Sequence, residues 1–303
     1  MPAVSVVIPA RNRADLIGET LASVSAQTLE DWECIVVDDG STDDTAAVVR
    51  SAAGDDARFR VLSARFGSAS AARNAGVAEA SATYLSFLDS DDLMVPDKLA
   101  RQVAALDADP DAVLAYGDTV QFRTGERPEH GTIYMSEVER PTDFESLLSF
   151  SAIYAPTVRT SAFHAAGGFD TSLASAEDWD MWLALARSGR LLYLPGPALH
   201  YRIHPGNKSR HTLRNLACAT RVARKHLANL PLGRRARVAA RVWRYFARVY
   251  PTPLFHDAAA ARAGCDARSA RVRLAAAALL RPRWFVRYPS TMLGLFGLKG
   301  ASR

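Results

Sequence analysis

The chain has 303 residues, of which 49% are hydrophobic and 23% are charged, an ordinary composition for a soluble globular protein. This length has room for one large domain or two modest ones. No apolar run approaches the ~20 residues that a membrane span needs, and Met1–Val4 leads into a predicted strand without the charged segment of a signal peptide. Cys34, Cys218 and Cys265 are scattered and lack metal-binding spacing, so we expect a reduced, cytoplasmic protein.

The formal net charge of +5 is divided unevenly along the chain. Residues 206–303 contain 21 Lys and Arg but 2 Asp and Glu, whereas residues 1–205 contain 16 and 30. We therefore predict an acidic body over residues 1–205 and a basic region over residues 206–303. A basic region of this kind favours a polyanionic partner.

The first 125 residues alternate between strand and helix patterns. Repeated β-α-β units of this length predict a mostly parallel sheet with helices on both faces. The residues Ser41–Asp44 are typical helix-capping residues, which predicts a helix through Val48 and Val49. The predicted strands are residues 4–9, 33–37, 59–62, 83–88 and 113–116, and the other predicted helices lie over residues 16–24, 70–80 and 96–107.

Residues 126–205 form the second half of the predicted acidic body. The segment Arg123–Arg140 is rich in Gly, Pro and charge, which predicts a loop or lid. A helix is predicted over residues 176–188, followed by two short strands, 191–193 and 198–204. Beyond Pro205 the pattern becomes helical in about three segments, broken at Pro231 and at Pro251–Pro253.

Acidic residues stand at the ends of hydrophobic runs. Asp38 and Asp39 follow Ile35–Val37, and Asp89, Asp91 and Asp92 follow residues 84–88. In open α/β folds the carboxyl ends of the strands form the rim where ligands bind. Oxygen ligands at a D-x-D spacing suit Mg²⁺ or Mn²⁺ shared with a phosphate. The pattern therefore predicts metal-assisted chemistry on a phosphorylated donor.

Seven motifs occur in order and together closely resemble the inverting GT-A glycosyltransferases of family 2, over roughly residues 3–209. The resemblance implies an α/β, GT-A type (Rossmann-like) mixed sheet flanked by helices, followed by a mostly helical C-terminal region. It also implies a nucleotide-sugar donor and Mn²⁺ or Mg²⁺. The motifs are Val4–Asn12, Val36–Asp43, Ala72–Gly76, Phe87–Asp92, Gly167–Asp170, Ala176–Asp180 and Tyr201–Asn207.

The donor side of the site is predicted from the first four motifs. Asp38 or Asp39 can accept a hydrogen bond from a base or a ribose, although both could simply cap a helix. The resemblance implies that Asp91 ligates the ion and that Asp89 contacts the ribose or a metal-bound water. His204 is the expected third metal contact, with His200 as the alternative. The remaining predicted donor contacts are Pro9, Arg11, Arg73 and Ser90; Arg11 replaces the aromatic or small residue of many relatives.

Asp178 is the predicted catalytic base, because a carboxylate at a helix N-terminus is expected to stay ionised. Glu177 could orient it or contact the acceptor, although both acids could merely complement the helix dipole. A single base matches direct displacement with inversion. Trp179 and Trp182 could stack on an acceptor sugar, with a core position equally open for Trp182. Gly167 and Gly168 are expected to form a flexible loop below the acceptor site.

In the basic region, Val238, Val242, Tyr245 and Val249 form one helical stripe beside a stripe of arginines. This pattern predicts an interfacial helix on anionic lipid, and Arg281–Tyr288 repeats the basic and aromatic character. Docking on the acidic body is the alternative. No nucleic-acid motif is present, so no nucleic-acid partner is expected. The basic stripe comprises Arg237, Arg241, Arg244 and Arg248.

The sequence therefore predicts transfer of a sugar to a hydroxyl of a saccharide or lipid-linked acceptor, in cell-surface glycan synthesis at the cytoplasmic membrane face. A nucleotidyltransferase is one alternative, but Pro9–Arg13 lacks the glycine-rich phosphate loop of such enzymes. A non-catalytic scaffold acting through its basic tail is the other, and the intact acids at Asp38, Asp91 and Asp178 argue against it.

Overall fold

The computed structural model describes residues 1–133, 140–149, 153–207, 211–263 and 266–280. Its contacts divide the chain into two compact units, Met1–Gly206 and Asn207–Arg303. The predicted basic and aromatic segment at Arg281–Tyr288 lies outside the described residues.

The first half of unit 1 is a parallel sheet with a helix between each pair of successive strands. Val4, Val6 and Ile8 are fully buried, as expected for central strands covered on both faces. The alternation predicted for residues 1–88 is confirmed. The elements are β1 Val4–Ala10, α1 Ile17–Ser25, β2 Trp32–Asp39, α2 Thr45–Ala53, β3 Phe59–Ala64, α3 Ala69–Ala78 and β4 Tyr84–Phe87.

The second half of unit 1 adds antiparallel pairs and makes the sheet mixed. The strand order is β3-β2-β1-β4-β8-β6-β9-β5, and β7 pairs with β6. The neighbours of β8 are antiparallel to it, whereas β6 and β9 run parallel. The elements are β5 Leu93–Met94, α4 Lys98–Ala108, β6 Ala112–Arg123, β7 Thr132–Ile133, α5 Phe144–Ser149, β8 Thr157–Arg159, α6 Thr160–Ala165, α7 Glu177–Leu185 and β9 Arg190–Ile203.

Two strand predictions need correction. The strand predicted over residues 113–116 extends to Arg123, and the two short strands predicted between residues 191 and 204 are one continuous strand, β9. Pro195, Gly196 and Pro197 interrupt the β pattern in the sequence, but register shifts around Gly117 and Asp118 accommodate them. The segment predicted as a loop after Arg123 contains β7 and a short 3-10 turn, Pro128–His130.

Gly76 brings α3 close to the sheet. A Cβ atom at this position would lie 2.6 Å from Val7 Cγ1 and 3.0 Å from Val37 Cγ2. Because Gly76 has no side chain, the helix packs directly on β1 and β2. This close packing carries Arg73, one turn earlier on α3, toward the carboxyl ends of the strands.

Unit 2 is helical in its described residues. Helices end at Ala228 and Val249, next to the breaks predicted at Pro231 and at Pro251–Pro253. The described residues of this unit nevertheless contain four helices where about three were predicted, because the last predicted segment contains two helices instead of one. Among the described helices, none combines the length and apolar character needed to cross a membrane. The helices are α8 Thr212–Ala228, α9 Leu232–Val249, α10 Pro251–Ala263 and α11 Ala267–Leu280.

Candidate active site

The parallel strands deliver the predicted acidic residues to one edge of the sheet. Asp38 pairs with Ala10 at the ends of β2 and β1, and β4 runs beside β1 before the chain reaches Asp89. Pro9 lies on β1 opposite Val37. The carboxyl ends of three neighbouring strands thus form a common rim, as in other open α/β sheets.

The two acids that end β2 hold the loops of this rim. Asp38 Oδ1 accepts from the Ser41 amide at 3.1 Å, across a turn in which Gly40 adopts a φ of +65°. Asp39 Oδ1 accepts from the Phe66 and Gly67 amides at 2.5 and 2.8 Å. Both side chains therefore shape the rim loops as well as being predicted donor contacts, whereas Arg11 is exposed above them.

Three carboxylates meet after β4. Asp89, Asp91 and Asp92 each present an oxygen within 4.8 Å of the others, and Ser90 is buried between them. Burial raises the pKa of Asp92 well above its ordinary value, and the charges of Asp91 and Asp89 raise it further. The cluster is the set of side chains that the D-x-D spacing predicted.

Each of these carboxylates has a basic residue beside it, brought from a different part of the chain. Arginine side chains and one main-chain amide therefore already stabilise these negative charges. Arg73 Nη2 donates to Asp89 at 2.6 Å, and Arg13 Nε donates to Asp91 Oδ2 at 3.2 Å. The Arg202 amide donates to Asp92 Oδ1 at 2.8 Å. The Arg202 guanidinium donates to the Asp91 carbonyl and to Glu19.

His204 is the histidine that reaches this cluster. Its Nε2 lies 2.9 Å from Asp91 Oδ2, and its Nδ1 accepts from the Gly206 amide at 3.1 Å. Nε2 is therefore the ring nitrogen that faces the carboxylate cluster. His200, the alternative ligand, instead packs against Phe122, and burial lowers its pKa.

Arg73 joins the acidic cluster to the start of α7. Besides Asp89 it contacts Glu177 Oε1 through Nη1 at 2.8 Å, and these two acids raise its pKa above the ordinary arginine value against the opposing effect of burial. Glu177 is the first residue of α7, and Ala176 before it has a φ of +60°. One guanidinium therefore holds Glu177 beside the acidic cluster.

The environment of Asp178 differs from the sequence expectation. Burial, together with the charge of Glu177, raises its pKa to about 7. Arg73 and the Trp179 amide, which donates to Asp178 Oδ1 at 2.7 Å, oppose this shift without cancelling it. The helix N-terminus therefore does not keep this carboxylate at an ordinary pKa, because desolvation has the larger effect.

Trp179 does not line an open acceptor surface. It is 4% exposed, and its indole N–H donates to the Leu147 carbonyl at 3.0 Å. Trp182 packs against Phe87 and Phe169. The prediction that Trp179 stacks on a sugar is contradicted by this burial. The sequence held the signal: residues three apart share a helix face, so a core position for Trp182 implied one for Trp179.

The glycine loop before α7 is fastened by Asn74 of α3. Asn74 Nδ2 donates to the Phe169 carbonyl and its Oδ1 accepts from the Phe169 amide, both at 2.9 Å. Gly167 and Gly168 have φ values of +89° and +79°. The two glycines were predicted to form a flexible loop below the acceptor site, and sequence reasoning missed the Asn74 side chain that clamps this loop.

Arg13 and Arg202 were also missed as site residues. Arg13 comes directly after the first motif, and Arg202 lies in the last motif, two residues before His204. The only signal in the sequence was the presence of a basic residue in or next to a motif expected at the acidic edge of the sheet. Motif order alone does not indicate which carboxylate each arginine meets.

Within the described residues, a mixed sheet with acids on its rim defines the GT-A fold, and solved structures share it. TarS of S. aureus in complex with UDP-GlcNAc has a TM-score of 0.69 at 18% identity, over 82% of this chain and 74% of that one. Mannosyltransferase PcManGT from Pyrobaculum calidifontis, in complex with GDP-Man and Mn²⁺, has a TM-score of 0.63 at 22% identity, over 98% and 85%.

Residues 5–165 match the family model "Glycosyl transferase family 2", and the chain belongs to that family. A chondroitin synthase of Pasteurella multocida (strain Pm70) is 31% identical over 213 residues, which is 69% of this chain. The chain spans 21% of the length of that relative.

Proposed function

We propose that this chain is an inverting, metal-dependent glycosyltransferase. It transfers a sugar from a nucleotide-diphosphate donor to a hydroxyl of a saccharide or lipid-linked acceptor. The observation that carries this proposal is the position of Arg73 between Asp89 and Glu177. Through this guanidinium the carboxylates expected to serve the donor adjoin Asp178, the carboxylate expected to activate the acceptor.

Asp178 acts as the base in the proposed reaction. The acceptor oxygen attacks the anomeric carbon from the face opposite the diphosphate, and Asp178 Oδ takes the hydroxyl proton as the new bond forms. The bond between the anomeric carbon and the diphosphate oxygen breaks, and the nucleoside diphosphate leaves with that electron pair. A base works best when its pKa is near the working pH, and the raised pKa of about 7 meets this condition. Glu177, held by Arg73, keeps the start of α7 in place while the proton moves.

The residues of the acidic cluster fit a divalent cation. Clustered carboxylate oxygens with an adjacent imidazole are ligands that Mn²⁺ and Mg²⁺ accept, and Asp91 with His204 would hold the ion. When bound, such an ion neutralises charge that develops on a diphosphate leaving group. The Mn²⁺ and GDP-Man named with PcManGT support this assignment.

A panel of nucleotide sugars tests the donor class. In the presence of Mn²⁺, the donor and its nucleoside diphosphate are expected to raise the melting temperature, because a ligand that binds the folded state stabilises it. At a ligand concentration one hundred times Kd, the free energy of unfolding should rise by about 3 kcal/mol. The measurement is thermal denaturation with and without a chelator. A chain that no nucleotide sugar stabilises, and that hydrolyses none of them, would instead be the non-catalytic scaffold.

The basic region contacts anionic lipid in this proposal, through a different face of α9 from the one predicted. Val238, Val242 and Tyr245 are buried within the protein, so the apolar stripe cannot enter a membrane. The neighbouring stripe of four arginines is exposed, and Trp243, on another side of the helix, is 53% exposed. Exposed arginines and an exposed tryptophan on one helix suit an anionic headgroup layer, which supports a peripheral position at the cytoplasmic membrane face and a role in cell-surface glycan synthesis.

Neutralising part of this face tests the membrane proposal. The double substitution Arg237→Gln/Arg244→Gln is expected to weaken binding to phosphatidylglycerol vesicles about tenfold or more, because each arginine near an anionic surface contributes about 1 kcal/mol. Vesicle binding is measured by flotation with anionic phosphatidylglycerol vesicles and, for comparison, with zwitterionic phosphatidylcholine vesicles. The matched control is Arg50→Gln/Arg127→Gln, which removes the same charge from exposed positions in unit 1. Equal flotation of both variants would reject the assignment.

A further inference from the structure

The arginine that follows β1 is held rigidly over the acidic cluster. The Asn12 amide donates to Ser41 Oγ at 2.9 Å, and Asn12 Oδ1 accepts from the Thr42 amide at 2.9 Å. The Arg13 amide donates to Thr45 Oγ1 at 2.7 Å. Asn12 has a φ of +52°, a left-handed conformation that asparagine tolerates better than most residues. The loop after β1 is thus pinned to the loop after β2, and the Arg13 side chain starts from a fixed backbone.

The three arginines of the site differ in how firmly they are held. The Arg73 and Arg202 side chains are 10% and 3% exposed, and each also contacts a glutamate, Glu177 and Glu19 respectively. Arg13 is 22% exposed, and Asp91 is its one carboxylate partner among the described residues. Its remaining side-chain contact is a hydrogen bond from Nη1 to the Asn12 carbonyl. Releasing Arg13 from the cluster therefore breaks fewer interactions than releasing either of the others.

We propose that Arg13 is an exchangeable counter-ion of the acidic cluster. It compensates Asp91 before ligands arrive, yields this carboxylate to the divalent cation, and then contacts a phosphate oxygen of the nucleotide diphosphate. This inference rests on the metal site of the proposed function. It assigns to Arg13 a role in coupling the cation to the donor.

The exchange follows from electrostatics at a single carboxylate. The Arg13 guanidinium and a divalent cation are both positive, so they repel each other when both lie against Asp91. A diphosphate bound to the cation brings negative charge to the same place, and arginine binds phosphate through several parallel N–H donors. The nucleotide thereby stabilises the released side chain. Cation and nucleotide should consequently bind cooperatively, each strengthening the other by the same factor.

Binding measurements on Arg13→Gln test this exchange without any turnover assay. Mn²⁺ alone, titrated with detection of free Mn²⁺ by electron paramagnetic resonance, is expected to bind Arg13→Gln about fivefold or more tightly than the unsubstituted chain, because no guanidinium competes for Asp91. With Mn²⁺ present, UDP or GDP, whichever binds the unsubstituted chain, is expected to bind Arg13→Gln at least fivefold more weakly by calorimetry. Arg13→Lys, which keeps the charge, should stay near the unsubstituted values for Mn²⁺.

Two control variants separate the possible outcomes. Arg50→Gln removes the same charge from an exposed position on α2 and should leave both affinities unchanged, whereas Asp91→Asn should abolish Mn²⁺ binding. Unchanged Mn²⁺ affinity in a folded Arg13→Gln variant overturns the exchange and leaves the proposed function standing. Failure of the unsubstituted chain to bind Mn²⁺ overturns the metal site, and the exchange falls with it. Melting curves of each variant confirm that it is folded.

Discussion

Asp178→Asn is expected to lower kcat by about 10²–10⁴-fold while leaving the affinity for the nucleotide diphosphate nearly unchanged. The asparagine keeps the shape of the side chain and can still accept from the Trp179 amide, but it cannot take a proton from the acceptor. Steady-state kinetics with calorimetric donor binding measure the two effects separately. Glu177→Gln is the comparison, since it alters the Arg73 contact and leaves the base in place. Near-normal turnover of Asp178→Asn would reject the base assignment.

The raised pKa of Asp178 also predicts how activity and stability change with pH. The base is active when ionised, so kcat/KM should fall as the pH drops through about 7. For stability the sign is opposite: an acid whose pKa is higher in the folded state binds more protons there than in the unfolded chain, so its ionisation destabilises the fold as the pH rises from about 4 to 7. Without ligands, Asp178→Asn should therefore melt higher than the unsubstituted chain at pH 8, and the gap should close at pH 4. An unchanged melting temperature at pH 8 would contradict this burial effect.

Asp91→Ala is expected to remove the dependence of donor binding on Mn²⁺ and to lower transfer by about 10³-fold or more, since Asp91 is the central carboxylate of the cluster. The substitution also leaves Arg13 and His204 without the oxygen that both contact. Donor affinity measured with Mn²⁺ and with chelator should then be the same, and low, in both conditions. Asp55→Asn, an exposed acid after α2, is the matched control and should retain the Mn²⁺ effect. A Mn²⁺ effect that persists in Asp91→Ala would place the cation elsewhere.

Local sequence patterns were sufficient to predict the acidic residues at the edge of the sheet. Runs such as Val6–Ile8 and Ile35–Val37 are apolar throughout, as expected for central strands of a covered parallel sheet, and the acids that follow them reach the same edge. The family match confirmed the resemblance, and the observed sheet confirmed the mixed GT-A fold. Short strands such as β5 and β8, of two and three residues, could not be predicted, because they contain too few side chains to show the alternating pattern of a strand.

The electrostatics of the site could not be predicted from the sequence. The contact between Arg13 and Asp91 joins residues 78 positions apart, and the Arg73 contact with Glu177 joins residues 104 positions apart. A sequence shows which residues can ionise, but not which of them lose water or which partners they meet. For this reason Asp178 was expected to have an ordinary pKa, although burial shifts it to about 7.

The close approach at Gly76 limits where this scaffold can diversify. Because only a hydrogen atom separates α3 from Val7 and Val37, the helix cannot shift toward the sheet without breaking its packing on both strands. A change in sugar preference has to come from a segment that does not pack on the sheet, such as the exposed loop carrying Arg11. Engineering of specificity should therefore begin in that loop and leave α3 intact.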